Sequence, residues 1–307
     1  MELRQLESLV AIADGGSFSR AAITLNLAQP SLSRQVAALE QELGQRLLVR
    51  TGRGVQLTAA GAVFLEHARA TLEAARGARA AMHDLGEDPQ GRITVGLPPR
   101  VALGLSVPLI RGFRQRFPRA VITVLEGLSL ALREALVAGR LDLALLFDPL
   151  PSPQLAYEPL MRERLLLVAP PRSRLPARVP LPALASYSMV LPSPPNAIRE
   201  LLDGVLGPRG IALNVLAEVG AVQTVLALVR EGVGCTVLPE SALPMAASDA
   251  PLPHAPIGPP AVWNKLVLAT SLARPATRLS RETAQLLREL DFRKALPPAK
   301  PIARRHS

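Results

Sequence analysis

The chain has 307 residues, 49% hydrophobic and 20% charged, a composition typical of two or three globular domains that excludes a disordered chain. Its one cysteine, Cys235, excludes an internal disulfide framework, and no apolar signal segment opens the chain, so we expect a cytoplasmic protein. The net charge of +10 suggests nucleic acid, but the first 91 residues carry nine basic and ten acidic side chains. Evidence for DNA binding must therefore come from motifs.

Residues 1–57 are predicted to form three short helices and a hairpin. An apolar stripe from Leu3 to Ala13 predicts the first helix, and Asn26-Leu27 is a tight break after the second. The third helix begins at Gln29-Pro30, where proline suits the first helical turn. It carries an apolar stripe, and Gly44 ends the helix. Two short apolar segments then flank Arg50-Thr51-Gly52-Arg53-Gly54, which indicates a hairpin.

This order of elements is typical of a winged helix-turn-helix, whose second helix lies in the major groove with its N-terminal residues at the base edges. Gln pairs with adenine and Arg with guanine in the major groove. Short hydroxyl side chains near a helix N-terminus suit contacts with phosphates or bases, and arginines on a hairpin turn reach phosphates or the minor groove. The candidate DNA-binding residues are Gln29, Pro30, Ser31, Ser33, Arg34, Arg50 and Arg53.

Residues 58–88 are predicted to form one long helix. Its apolar residues recur at spacings of three and four over about four heptads, which favours pairing with a helix of a second chain. Packing of the same seam on its own domain is the alternative. The residues assigned to oligomerisation are Leu65, Ala68, Leu72, Ala75 and Met82.

From residue 92 to residue 292, apolar strands alternate with amphipathic helices. The pattern predicts an α/β fold with parallel sheets, and the length suggests two subdomains. The tail 293–307 is basic and is expected to be a solvated end.

The first 65 residues carry a specific pattern of residues at fixed spacings: Leu3, Leu6, Phe18, Ala21-Ala22, Gln29-Pro30-Ser31-Leu32-Ser33, Leu39-Glu40, Leu43-Gly44, Leu48-Val49-Arg50 and Leu57-Thr58-Ala59-Ala60-Gly61. By this pattern, residues 1–65 resemble the winged helix-turn-helix of the LysR-type transcriptional regulators. The resemblance continues over nearly the whole chain, because Gly232, Gly234, Leu238 and Pro239 resemble the second half of the family's effector domain. The stretches 191–199 and 221–239 are similar to the nitrogen-assimilation-control branch of the family.

The resemblance implies a winged helix-turn-helix over 1–58, a linker helix and hinge over 59–91, and a periplasmic-binding-protein-like effector domain over 92–292. Subdomain I would cover 92–161 and 266–292, and subdomain II 162–265. The linker helix would pair two chains, and two dimers would form a tetramer. The expected partners are double-stranded DNA, a small-molecule effector and RNA polymerase, without a cofactor or a membrane.

The resemblance also places an effector in the cleft between the subdomains. The bordering residues are Pro99, Arg100, Ser129, Phe147, Asp148, Ser193 and Asn196. Family members often carry Ser or Thr where this chain has Pro99 and Arg100, so Arg100 either holds an anion or points to solvent. Arginine and helix N-termini favour a small organic anion such as a carboxylate. Arg199 is a further candidate anchor, and a ligand-independent regulator is the alternative.

Two other classes of function fit the residues poorly. An enzyme lacks its motifs, because there is no Gly-x-Ser-x-Gly elbow or P-loop and Gly232-Val233-Gly234 lacks the third glycine of a dinucleotide fingerprint. The histidines, His67, His83, His254 and His306, show no metal-ligand spacing. A solute-binding protein would need an export signal. The sequence therefore predicts a transcriptional regulator without catalytic or metal-binding residues.

Overall fold

The computed structural model describes residues 1–52, 54–83, 91–245 and 251–296, with the backbone alone for residues 50, 73, 76 and 79–83. The chain divides into two compact units. The N-terminal unit comprises Met1–Glu87 together with Ala138–Arg140, and the C-terminal unit covers Asp88–Val137 and Leu141–Ser307. Arg53 and most of the basic tail lie outside the described residues. No helix in the described ranges is long and apolar enough to cross a membrane.

The N-terminal unit contains the three short helices, the hairpin and the long helix that the sequence predicts. Left-handed residues Gly16, Asn26 and Gly44 end the first three helices, as glycine and asparagine allow. The elements are α1 (Leu3–Gly15), α2 (Phe18–Leu25), α3 (Gln29–Leu43), the antiparallel strands β1 (Leu48–Thr51) and β2 (Gly54–Leu57), and α4 (Ala59–His83).

The start of α4 is fixed to the hairpin by Thr58 and Gly61. Thr58 caps the helix, because its Oγ1 accepts from the Gly61 N–H at 2.9 Å, and its hydroxyl donates to the Arg46 carbonyl at 2.6 Å. A Cβ on Gly61 would lie 2.0 Å from the Leu47 carbonyl oxygen. The close approach of helix and hairpin therefore requires glycine at this position.

The apolar seam of α4 packs inside its own chain. Leu65, Ala68 and Leu72 are buried in one core with side chains of α1, and an ion pair of 2.5 Å between Arg69 and Asp14 joins the same two helices. Ala75 is half-buried, and the Met82 side chain lies outside the described residues. At these three positions α1 of the same chain covers the seam with Leu6, Leu9 and Ile12, which is the alternative that the sequence left open.

The C-terminal unit combines a mixed sheet in the order β10–β6–β11–β5–β3–β4, with β9 also on β6, and a two-stranded sheet of β7 and β8. Its strands are β3 (Gly91–Leu97), β4 (Ala120–Glu126), β5 (Leu143–Phe147), β6 (Leu155–Val168), β7 (Ser188–Pro192), β8 (Asn214–Val219), β9 (Thr236–Pro239), β10 (His254–Pro256) and β11 (Trp263–Ser271). Its helices are α5 (Pro99–Arg116), α6 (Ser129–Val137), α7 (Ala197–Leu206), α8 (Val222–Arg230), α9 (Arg278–Glu289) and α10 (Phe292–Ala295).

Strand directions are mixed, whereas the sequence predicts parallel sheets. β3 pairs in parallel with β4 and β5, but β6, β9, β10 and β11 pair antiparallel. The 14-residue strand β6 is also longer than the apolar run near 164–169 indicates. Its first part carries Glu158, Arg162 and Glu163, and these charged residues interrupt the apolar pattern that would mark a strand.

β6 and β11 pass from one predicted subdomain into the other. The first part of β6 pairs with β11, and its last residues, Leu165–Val168, pair with β9 and β10. The predicted subdomain boundaries at 161 and 265 fall inside these two strands. One buried core includes Ile93, Leu145 and Leu268, and another includes Leu167, Val190 and Val237, so each subdomain has a core of its own.

Candidate functional site

The N-terminal end of α3 lies at the surface of the N-terminal unit. Leu32, Val36 and Leu39 are buried in the core, which fixes the rotation of the helix. The candidate DNA-reading side chains are therefore on the outer side: Gln29, Pro30 and Arg34 are exposed, and Ser31 and Ser33 are half-buried. Arg34 forms no salt bridge within the part of the chain that the structure describes.

Polar contacts hold α3 in place. The buried Ser8 hydroxyl of α1 lies in hydrogen-bond contact with Gln35 Oε1, and Ser19 of α2 donates to Gln29 Oε1 at 3.3 Å. Asn26, at φ 54°, makes the tight turn between α2 and α3. The three helices thus form a fixed platform for the exposed end of α3.

The hairpin is held by a residue to which the sequence assigns no role. Glu40 of α3 accepts from the backbone N–H groups of Leu47 and Leu48 at 2.7 and 3.0 Å. The Val55 N–H donates to the Gly16 carbonyl at 3.0 Å, which ties β2 to the α1–α2 turn. The wing therefore has a defined position beside α3, although Arg53 and the Arg50 side chain lie outside the described part of the chain.

In the C-terminal unit, Arg100 is the centre of a buried polar cluster. Its side chain is 7% exposed and forms an ion pair of 2.5 Å with Glu163, which is 6% exposed. The guanidinium also donates to Ser241 Oγ and, at 3.1 Å, to Asn264 Oδ1. It lies over the Phe147 ring, 4.4 Å from the ring centroid. The sequence leaves Arg100 to an anion or to solvent, and the structure instead gives it a carboxylate of the same chain.

The cluster continues from Arg100 to Asp148. Glu163 and Asn264 are direct cross-strand partners in the β6–β11 pair, and Glu163 Oε2 accepts from the Ser241 N–H at 3.2 Å. Asn264 Nδ2 donates to Asp148 Oδ2 at 2.6 Å, and the Lys265 N–H donates to the same oxygen at 3.1 Å. We call Arg100, Glu163, Ser241, Asn264 and Asp148 the cleft cluster.

Burial shifts the pKa values of both ends of this cluster toward the neutral forms. Burial lowers the pKa of Arg100 from its ordinary value, and the charge and hydrogen bond of Glu163 oppose that shift. Burial raises the pKa of Asp148, and the bonds from the Lys265 N–H and the Asn264 amide oppose it. The partners in the cluster therefore stabilise the charged forms of both groups against the cost of burial.

The other predicted effector residues serve local structure. Ser129 Oγ accepts from the Phe147 N–H at 2.9 Å, which joins the start of α6 to the end of β5. Asn196 caps α7 by accepting from the Ile198 N–H at 3.0 Å, and the Ser193 N–H donates to the Val219 carbonyl at 3.0 Å. Pro99 is exposed in the first turn of α5. Of the predicted effector residues, Arg100 and Asp148 belong to the cleft cluster, and Phe147, whose N–H is bonded to Ser129, packs against Arg100.

Glu163, Ser241 and Asn264 are the cluster members that the sequence analysis misses. A signal for Glu163 exists, because it lies between Arg162 and Arg164 in a strand where alternate residues face opposite sides. Arg162 and Arg164 are exposed on the other face, whereas Glu163 is buried. Ser241 and Asn264 carry no comparable signal, because their contacts join elements far apart in the chain.

Arg199 lies away from the cleft cluster. It pairs with Asp203 at 2.8 Å and Glu218 at 2.5 Å, beside a surface cavity of about 340 Å³. Both pairs involve largely exposed carboxylates, so Arg199 has protein partners of its own. Across the described residues, no group of three or more His, Cys, Asp or Glu side chains could hold a metal ion.

Two family models match the chain and together span almost all of it. Residues 3–62 match the bacterial regulatory helix-turn-helix protein of the lysR family, and residues 86–291 match the LysR substrate binding domain. The second match alone covers more than half of the chain. The chain therefore belongs to the LysR family of transcriptional regulators.

Individual relatives agree with the family models. The nitrogen assimilation regulatory protein nac of Klebsiella aerogenes is 37% identical over 243 residues, which is 79% of each chain. A probable hydrogen peroxide-inducible genes activator of Mycobacterium leprae is 30% identical over 93% of each chain. A full-length OxyR variant from Pseudomonas aeruginosa has the same fold, with a TM-score of 0.75 at 23% identity over 98% of each chain. The named relatives are regulators of transcription rather than enzymes.

Replacing Asp148 by asparagine tests the electrostatics of the cluster. The folded state raises the pKa of Asp148 above its ordinary value of 3.8, so ionisation of Asp148 disfavours folding. The contribution of Asp148 to the free energy of unfolding therefore falls as the pH rises from 3.8 through the raised pKa. An asparagine at this position can keep one oxygen for both hydrogen bonds without the charge. We expect Asp148→Asn to gain stability relative to wild type as the pH rises, measured by urea unfolding with Trp263 fluorescence.

Glu158→Gln is the control of opposite sign. The hydrogen bond from Arg288 holds the pKa of Glu158 below its ordinary value, so this exposed carboxylate favours folding when ionised. The Glu158→Gln variant should lose stability relative to wild type as the pH rises. A pH-independent difference between Asp148→Asn and wild type would contradict the assignment for Asp148.

Proposed function

We propose that this LysR-family regulator reads operator DNA with the N-terminal end of α3 and with the β1–β2 wing, while the C-terminal unit sets its response. The observation that carries the first part is the division of α3 into a buried stripe and an exposed end. Arg34 has the reach and the fork geometry for guanine, and Gln29 has the amide for adenine. Pro30 fixes the backbone of the first turn next to the DNA, and the Ser31 and Ser33 hydroxyls suit phosphate contacts. Arg50 and Arg53 are proposed to contact phosphates from the wing.

Arg34→Ala tests the reading of bases. The variant should bind its operator about 1–3 kcal/mol more weakly and lose preference at one base pair, because a bidentate contact is removed. Fluorescence anisotropy with operator and scrambled duplexes at one salt concentration measures both effects. Gln41→Ala, an exposed polar change near the other end of α3, is the matched control and should bind like wild type. Unchanged operator affinity in Arg34→Ala would exclude this placement of α3.

For assembly, we propose a face of α4 other than the seam on α1. Val63 is 64% exposed, and Ala70 and Ala74 are also exposed. Together with His67 and Gly77 they follow the alternating spacing of four and three that brings two helices together. A second copy of α4 presents the same face, and small side chains let the two helices approach closely. The resemblance also predicts that two such dimers form a tetramer and that the regulator contacts RNA polymerase, and both stay predictions.

A matched pair of substitutions tests this face. Ala70→Glu places a charge in the proposed helix pair and should produce monomers in sedimentation velocity, with loss of binding to a two-half-site operator. Ala62→Glu makes the same change at an exposed position of α4 outside the face and should stay dimeric. Circular dichroism of both variants should match wild type. A dimer that persists in Ala70→Glu would place the interface elsewhere.

For the C-terminal unit, the sequence leaves a choice between a small organic anion and no effector. An anion at Arg100 would have to displace Glu163 and compete with Ser241 and Asn264, which already accept from the guanidinium. The geometry therefore favours a regulator that needs no ligand, because the Arg100 guanidinium already has its hydrogen-bond and charge partners within the chain. The anionic effector is the second candidate, favoured by the same observation that a carboxylate fits Arg100.

A further inference from the structure

We propose that Arg100 and Glu163 form a built-in clamp: the Glu163 carboxylate occupies the place of an anionic ligand and holds the two subdomains together without a small molecule. This inference rests on the proposed regulatory role of the C-terminal unit. It assigns a positioning role to Glu163, Ser241 and Asn264.

The clamp joins elements on both sides of the cleft. Arg100 belongs to α5 and lies over Phe147 at the end of β5, so it is fixed in the core of subdomain I. Ser241 follows β9, next to Ala242 in the core of subdomain II. The Arg100 guanidinium bonds to Ser241 Oγ and to Glu163, and Glu163 also accepts from the Ser241 N–H. One carboxylate and one guanidinium thus connect both cores.

Because the pair is buried, neither charged group can lose its partner without a large loss of stability. A guanidinium in the first turn of a helix is disfavoured by the helix dipole, and a buried charge without a partner is strongly destabilising. Glu163 supplies the opposite charge, and Asn264 and the Phe147 ring supply further interactions. Separating the subdomains would break these bonds together. Ala197, at the start of α7 in subdomain II, also packs against the core of subdomain I. This contact would be lost together with the bonds of the clamp.

The strand pair that carries Glu163 and Asn264 is also braced on its outer face. Arg162 and Arg164 stack on Trp263, with the guanidinium carbons 4.6 and 5.0 Å from the ring centroid. Since side chains alternate along a strand, these contacts hold the ribbon from the side opposite to Glu163. The carboxylate is therefore presented to Arg100 by a ribbon held on both faces.

The distance between the subdomains tests the clamp in the full chain. In a Cys235→Ser background, Glu134 on α6 and Ala227 on α8 are replaced by cysteines that carry spin labels. The distance between the two labels reports the separation of the subdomains. Labelled chains are diluted with an excess of unlabelled chains, so that the signal comes from within one chain. Double electron–electron resonance then gives the distance distribution without DNA, so failure of the proposed DNA contacts is detected separately by the anisotropy measurement on wild type.

We expect one narrow distance distribution for the ligand-free wild type. Glu163→Gln and Arg100→Gln should each add a second, longer population and lower the melting temperature by about 10 °C. Arg100→Lys keeps the charge but loses the planar fork, and should show the longer population with a smaller loss of stability. The control on β6, Glu158→Gln, breaks an exposed ion pair with Arg288 and should keep the wild-type distribution.

Two results would overturn the clamp. One is a lower melting temperature in Glu163→Gln, Arg100→Gln and Arg100→Lys with unchanged distances, which would reduce the pair to a packing role. The other is a broad wild-type distribution that narrows when millimolar succinate or citrate is added, which would show that an external anion, rather than Glu163, closes the cleft.

Discussion

A guanidinium group almost fully removed from water is the constraint on which the C-terminal unit depends. Arg100 is 7% exposed, and such a group is tolerated in a protein interior when charge and hydrogen bonds replace its hydration. The fold supplies Glu163 from β6, Asn264 from β11 and Ser241 after β9. Three separate parts of the chain therefore meet at one side chain, at the place where the predicted subdomains meet.

In the N-terminal unit, each helix divides its faces between the core and the surface. α3 buries Leu32 and Val36 and leaves Gln29 and Arg34 exposed. α4 packs Leu65 and Leu72 on α1 and exposes a second face that includes Val63, Ala70 and Ala74. The same division leaves exposed the two surfaces that we propose bind DNA and a second copy of the chain.

Much of the fold could be predicted from the sequence, because helices α1 to α4 and the buried strands have clear periodicity and end at residues such as Gly44. The antiparallel strand β6 could not, because its charged residues hide the strand pattern. The partner of the α4 seam at Leu65, Ala68 and Leu72 could not be predicted, because periodicity identifies an apolar face but not the chain that covers it. The partners of Arg100 could not be predicted, since they are 63, 141 and 164 residues away in the chain.

A double-mutant cycle on Arg100 and Glu163 tests the central claim most directly. Arg100→Met and Glu163→Leu, each alone, leave one buried charge unpaired and should lower the free energy of unfolding by about 3–5 kcal/mol. The double variant replaces the pair by apolar side chains and should lose far less than the sum, with a coupling energy of roughly 2 kcal/mol or more. Losses that simply add would show that the two groups act independently and would contradict this account.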